Sequence, residues 1–406
     1  MRTVIESIVV RFSVVFGIAF GLTFLLGTWT DSRAIAEKPS VKQVVPPGPK
    51  SWASFRNGPL QQGVAGSGLP EKLELLWKKK TVHGVVAPAA IVGDHVYVPA
   101  MSGWLFCLDR TTGTEIWKYR SIEDNDPDAF APAFKAAPTV TAELVISGDE
   151  DGIVHAIDRK TGKKKWTFKT EGEIAGGATV HGENLIIGSH DSYLYCLREK
   201  DGKFVWKVQT MDRINCSPAV VGDFTFVAGC DEHLRVIDIK KGKEKTDINL
   251  MSYLIASPAV MGDMLYVGTY KSEVLAINWK TSKIVWRYRD PFRMQPYHAS
   301  AAITEKYVVV GGQDKQLHCI DRKTGQRVWV FPTRAQINSS PVIVGDRVFF
   351  GSDDRNIYGV NLKTGKQIWK FRARTGVSAA PAVGENCLVI GGGQSGGYIY
   401  CFGEKK

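Results

Sequence analysis

Residues 340–369, SPVIVGDRVFFGSDDRNIYGVNLKTGKQIW, decide the fold. They divide into four short runs. The apolar run 341–344 ends at Gly345-Asp346, and 347–351 ends at an acidic turn, 352–355. Residues 356–361 form a third run, and Lys363-Thr364-Gly365 turns the chain into a fourth that carries Trp369. Gly at the first position of a two-residue loop suits a type II′ hairpin, and the Thr-Gly turn suits a left-handed glycine at a bulge. The inner runs hold Val, Ile, Phe and Tyr without strict alternation, as strands covered on both faces do. Four antiparallel strands that must be sandwiched are one unit of a stack.

The rest of the chain supplies the neighbours. An Asp or Asn, then Gly or Ser four residues on, then Trp after four more recurs at Asp109-Gly113-Trp117, Asp158-Gly162-Trp166, Asn278-Ser282-Trp286, Asp321-Gly325-Trp329 and Asn361-Gly365-Trp369. Arg198-Gly202-Trp206 has lost the acid, and Asp238-Gly242 leads to Thr246 where Trp is expected. With Trp77 the slots are 77, 117, 166, 206, 246, 286, 329 and 369, mostly 40 residues apart. First strands open at Ala87-Pro88, Ala137-Pro138, Gly177-Ala178, Ser217-Pro218, Ser257-Pro258, Ser300-Ala301, Ser340-Pro341 and Ala380-Pro381. The last unit stops before its Trp strand, and a spare strand ending near Trp77 sits at the other end of the chain. This predicts an all-β fold: an eight-bladed propeller of four-stranded antiparallel blades, closed by the N-terminal strand. Trp77, Trp117, Trp166, Trp206, Trp286, Trp329 and Trp369 are read as structural, each docking on the adjacent blade with its N–H on a backbone acceptor. Thr246 predicts a weaker junction between blades four and five.

The N-terminus carries a targeting signal. Arg2 and Arg11 precede the uncharged, largely apolar residues 12–29, and Ala34-Ile35-Ala36 is a small-x-small cleavage pattern. Residues 1–36 read as a signal peptide or a single-pass signal anchor, helical in either case. A stretch of eighteen residues is long for the first and just enough for the second. The expected location is exported, periplasmic or at the cell envelope, with residues 12–29 in the inner membrane if uncleaved. Residues 37–50, with Pro39, Pro46, Pro47 and Pro49, form an extended linker, and 51–406 form the propeller.

A net charge of +11 on 406 residues modestly favours acidic partners or an anionic lipid surface, and no dense Lys/Arg tract points to nucleic acid. Of the seven cysteines, Cys107, Cys196, Cys319 and Cys401 recur at one small buried strand position, so structural thiols are expected rather than a disulfide framework. His155 and His318 share a strand position and read as packing residues, and no His pair has ligand spacing.

The repeated ALDxxTGxxxW-type motif resembles that of the pyrroloquinoline quinone (PQQ) repeat propellers. The stretch Trp52-Ala53-Ser54-Phe55-Arg56-Asn57-Gly58-Pro59, with Gly63-Val64 and Leu69-Pro70, is similar to the lead-in of their BamB-like members. The resemblance spans about residues 51–401 and is specific for fold. It implies one of two functions. The first is a non-catalytic, membrane-associated scaffold binding a protein or peptide by its face or by strand addition, with no cofactor. The alternative is a small quinoprotein oxidoreductase with PQQ and Ca²⁺ in the channel mouth. No adjacent cysteine pair and no lid-sized insertion accompany the second reading.

Function is expected where the repeat breaks, on the face formed by blade-to-blade linkers and second-to-third-strand turns. The interval Trp117 to Trp166 has nine extra residues, including Asp124, Asp126 and Asp128, weak candidates for a cation. The interval Trp286 to Trp329 has three extra, in DPFRMQPYH, which brings Arg293, Tyr297 and His298. Linkers elsewhere add Arg213, Asn215, Tyr253, Arg334, Asn338 and Arg374. Arg and amide side chains around one mouth suit carboxylate or peptide-backbone recognition.

Overall fold

In the computed structural model, the quoted stretch folds as Val342–Val344, Arg347–Ser352, Asn356–Asn361 and Gln367–Arg372, paired antiparallel in chain order. Gly345 at φ +59 opens the first hairpin, with Val344 opposite Arg347. The structure describes residues 47–124, 126, 129–393 and 396–405. Seven such meanders occupy residues 90–120, 139–169, 179–209, 219–249, 259–288, 302–332 and 342–372, here blades 1 to 7. Blade 8 combines residues 382–403 with the earliest strand, Glu74–Thr81, which pairs with Gly397–Gly403. The predicted ring and its closure are therefore found. The expected N-terminal helix lies outside the described residues, among which no helix is long and apolar enough to cross a membrane.

The junctions follow from the Trp slots. Each indole N–H donates to a carbonyl of the next blade: Trp77 to Arg110 (2.8 Å), Trp117 to Arg159 (3.1 Å), Trp166 to Glu199 (3.1 Å) and Trp206 to Ile239 (2.7 Å). Trp286 reaches Arg322 (3.0 Å), Trp329 reaches Leu362 (2.9 Å) and Trp369 reaches Leu73 (3.3 Å). Each of these rings except that of Trp369 lies on the glycine of the next blade's third turn. A Cβ at Gly325, for example, would stand 2.7 Å from Trp286, and its φ of +72 also demands glycine.

The junction between blades 4 and 5 departs from expectation. Blade 4 offers Thr246, but blade 5 carries Trp279 at the receiving position. Trp279 is buried, stacks edge-on against Phe226 of blade 4 at 5.2 Å and donates to Gly262 (3.1 Å). The indole has changed sides, so the slot is filled from the opposite blade. With no incoming ring to accommodate, the turn carries Ser282 (φ +59) instead of Gly.

The first strand of blade 1 slips by one residue from the expected opening. Ile91, not Ala90, takes the place of Val140, and Val85 lies against Gly391 as Ile174 lies against Gly148.

Residues 50–67 line one end of the channel and touch every blade. Lys50 O accepts from Glu385 of blade 8, Trp52 exchanges two bonds with Ile91 of blade 1 (2.7 and 2.8 Å), and Ala53 O accepts from Val140 of blade 2. Gln61 Nε2 reaches Thr179 Oγ1 of blade 3, and Pro59, Leu60, Gln62 and Gly63 carbonyls accept from Val220, Val260, Ile303 and Ile343 of blades 4 to 7. Ser67 Oγ accepts from Asn386, back in blade 8. Within this stopper the buried Arg56 donates to Pro341 O (2.5 Å) and Ala301 O (2.7 Å). Burial brings its pKa down to about 9. Gly63 makes room for it: a Cβ there would lie 1.9 Å from the guanidinium.

Candidate partner-binding face

The opposite end of the ring is built by one repeated contact. The turn between second and third strands donates a backbone N–H to the linker entering the same blade. The pairs are Met101 to Gly84, Glu150 to Ala133, His190 to Glu173, Cys230 to Arg213, Tyr270 to Tyr253, Gln313 to Pro296, Asp353 to Gln336 and Gly393 to Gly376. Linkers and turns thus form a continuous rim around the mouth.

Most of the residues expected to face a partner stand on this rim. Arg213, Tyr253, Arg293, Arg334 and Arg374 are exposed. Arg293 donates to Asp314 O (3.0 Å), and Arg374 lies over Tyr398 at 5.6 Å. Asn215, His298 and Asn338 occupy one equivalent position, half-buried at the channel wall. Each is held by a neighbouring turn: Asn215 by His190 (2.7 Å), His298 by Gln313 (3.0 Å), and Asn338 on Asp353 (2.9 Å). Burial lowers the His298 pKa and raises that of Asp353. Burial also disfavours the Lys135 ammonium, but hydrogen bonding and charge from Glu150 and Glu173 outweigh it and raise its pKa.

Tyr297 does not belong to the rim. It is 2% exposed and fills the slot that holds Ile174, Ile214 and Ile337 in other linkers, its Cβ 2.6 Å from where a Gly268 Cβ would stand. Its hydroxyl faces inward, and burial raises its pKa. The first insertion is shaped by Arg120, which donates to the carbonyls of Asp124, Asp126 and Ala129. Asp124 spends a carboxylate oxygen on Asp126 N (2.9 Å), and Asp128 lies outside the described residues. The carboxylates that do converge on a histidine are Asp290 and Asp314, at the root of the second insertion. His318 is closed by its own partners: Nε2 is 2.9 Å from Asp314, and Nδ1 is 3.0 Å from the Tyr288 hydroxyl. Asp290 caps Phe292 N (2.9 Å) and Arg293 N (3.0 Å). This is a buried network that anchors the insertion, in line with reading His318 as a packing residue. His155 matches it, with Asp149 (2.8 Å) and Tyr119 (3.0 Å).

Sequence reasoning missed the apolar half of the rim. Met211, Met251, Tyr270, Phe292 and Met294 join Tyr253, already expected on the rim, in an arc over blades 4 to 6, with exposures from 44% (Tyr270) to 84% (Phe292). Tyr270 bridges the arc to the mouth, 4.9 Å from His298 and 6.5 Å from Tyr253. The signal was available: Phe292 and Met294 are apolar residues inside an insertion that no strand pattern claims.

The mouth leads to a cavity of about 150 Å³ between Phe55 of the stopper and the first residues of the inner strands. A belt of hydroxyls surrounds it, with Gly177, Ser217, Ser257 and Ser300 N–H groups donating to the Ser217, Ser257, Ser300 and Ser340 oxygens of the next blade (2.8–2.9 Å). Cavities that enclose a drug-sized ligand start near about 300 Å³, larger than this one.

A sequence profile of the family described as outer membrane protein assembly factor BamB matches residues 70–288 and 292–400. The chain belongs to the BamB family. A BamB of Xanthomonas campestris pv. campestris is 30% identical over 109 residues, which are 25% of this chain and 27% of that protein. The match thus spans about a quarter of the curated relative's length. The crystal structure of BamB from Moraxella catarrhalis aligns with a TM-score of 0.68 at 16% identity, over 82% of this chain and 98% of that one. Quinohemoprotein alcohol dehydrogenase from Comamonas testosteroni aligns with a TM-score of 0.74 at 14% identity, over 88% and 81%. Both structural likenesses speak to the propeller, which BamB proteins share with quinoproteins.

Proposed function

We propose that this BamB-family propeller is an exported, non-catalytic scaffold that captures a protein partner on its mouth face, tethered to the membrane through residues 12–29 where these are retained. The observation that carries the reading is the exposed arc of Met211, Met251, Tyr253, Tyr270, Phe292 and Met294 beside Arg213 and Arg293. Exposed apolar side chains gathered on one face mark interaction sites, and methionine adapts to varied partner shapes. The arginines add charge complementarity for acidic or carbonyl-rich segments. The small cavity below supports recognition by a surface over turnover in a pocket. The test is capture from native membranes with crosslinking, comparing the wild type with Arg293→Ala/Arg334→Ala. Partner yield falls severalfold in the variant under the scaffold reading, and unchanged yield rejects this face. Incubation with PQQ and Ca²⁺ provides the opposite arm: stoichiometric quinone absorbance with dye-linked alcohol oxidation would make the chain a quinoprotein.

A further inference from the structure

The strands that close the ring hold a second chemical feature, distant in sequence from the rim linkers. Cys387 begins the strand Cys387–Gly392 and Cys401 lies on Gly397–Gly403. Leu388 pairs with Phe402 and Val389 with Cys401, so the two thiols are diagonal neighbours on one face of blade 8. Arg110 reaches across from blade 1. Its Nη1 donates to the Cys387 sulfur (3.5 Å) and to Glu385 O (3.1 Å), its Nε to Gly93 O (2.9 Å), and its Nη2 pairs with Asp94 (3.1 Å). The guanidinium is therefore fixed on four sides with one N–H aimed at sulfur. Cys387 also forms part of the wall of a cavity of about 870 Å³, with Lys50, Leu69, Pro70 and Arg110. Cys387 is buried, 4% exposed, on the wall of this cavity, and an anchored cation and a second thiol beside its sulfur are surroundings that make a cysteine nucleophilic.

We propose that Cys387 is a thiol–disulfide exchange site, at which a small disulfide admitted through this cavity leaves the sulfur S-thiolated. In the step, the Cys387 thiolate attacks one sulfur of the disulfide RSSR. A Cys387–SR bond forms, the RS–SR bond breaks, and the departing RS⁻ takes a proton from water. Cys387 is oxidised and the leaving sulfur is reduced. Cys401 keeps its proton and acts as a positioning residue. The electrostatics agree with the geometry. Hydrogen bonding from Cys401, then that of Arg110 and its charge, hold the Cys387 thiol below the usual thiol range against the opposing effects of burial and of the Glu385 charge. Burial pushes Cys196 and Cys216 up to about 12 and raises Cys107 and Cys319 as well.

The full-length protein is treated with 5,5′-dithiobis(2-nitrobenzoate) or oxidised glutathione across pH 5–9, and the modified residue is mapped by peptide mass spectrometry. One fast thiol among the seven is expected, mapping to Cys387. Its rate rises with pH around a midpoint below the ~8.5 of a free cysteine. Cys387→Ser removes the fast phase. Arg110→Gln slows it about tenfold and moves the midpoint up. Should Arg110→Gln fail to fold, Cys401→Ala leaves the arginine bridge intact and must also move the midpoint up. A fast phase that survives Cys387→Ser overturns the proposal. So does a Cys387 that reacts in the native protein no faster than in denaturant.

Discussion

The two ends of the channel are made by the same eight inner strands, yet they solve opposite problems. At one end, residues 50–67 saturate the backbone: all eight blades bond to them, Trp52 and Arg56 are buried, and little is left to bind. At the other, the linkers bond to their own blade's turn and to that of the blade before, as Ile214 N does to Ser189 O, and leave Phe292, Met251 and Arg213 facing water. Backbone bonding across all eight blades is concentrated at the stoppered end, and the exposed side chains proposed for recognition stand at the mouth. A ring needs its strands joined somewhere, and sealing one end allows the other to vary.

Three variants sharpen that contrast. Trp52→Ala, which empties a fully enclosed site at the stoppered end, is expected to cost about 3–5 kcal/mol, read by denaturant unfolding. Gly63→Ala comes next. At φ +66 the left-handed backbone alone costs about 1–3 kcal/mol, and the new methyl displaces the Arg56 guanidinium. An unfolding midpoint equal to wild type would show that the stopper is not seated as described. At the mouth, Met251→Ser/Phe292→Ser is expected to change stability by no more than about 0.5 kcal/mol while removing partner capture. Destabilisation comparable to Trp52→Ala would place these side chains in the core and break the comparison.

The fold was legible because it rests on spacing. An indole every 40 residues, a glycine to receive it and paired turn residues leave little freedom, and the orphan strand near Trp77 told how the ring closes. Thr246 shows where spacing misleads. A missing Trp suggested a weak junction, but Trp279 fills the same slot from the next blade, and Ser282 could replace Gly because no ring arrives from Thr246. Such compensation links residues that are neighbours only in space. The site was legible in position and less so in orientation. Rim linkers were found from their departures from the repeat, and Arg213, Arg293, Arg334 and Arg374 stand where expected. Tyr297 does not, because its linker position is an inward slot filled elsewhere by isoleucine. The apolar arc was hidden for the converse reason: in sequence, Met211 or Met251 cannot be told from a core residue. Arg56 and Gly63 lay in a motif noted for its resemblance, but their mutual fit, a guanidinium lying where a methyl would be, appears only in three dimensions.

Residues 50–67 have a consequence for how the molecule comes into being. They are synthesised before any blade, yet their last partners, Glu385 and Asn386, sit in the first hairpin of the last blade. The strand Glu74–Thr81 likewise waits for Gly397–Gly403. Contacts separated by some three hundred residues close slowly, since the entropy of the loop must be overcome before they form. A chain delivered N-terminus first therefore holds its seal in reserve until the eighth blade arrives. A product that ends early, short of residue 382, leaves Lys50 and Ser67 without their blade 8 partners and the closing strand unpaired, marking an unfinished ring by an open sheet edge.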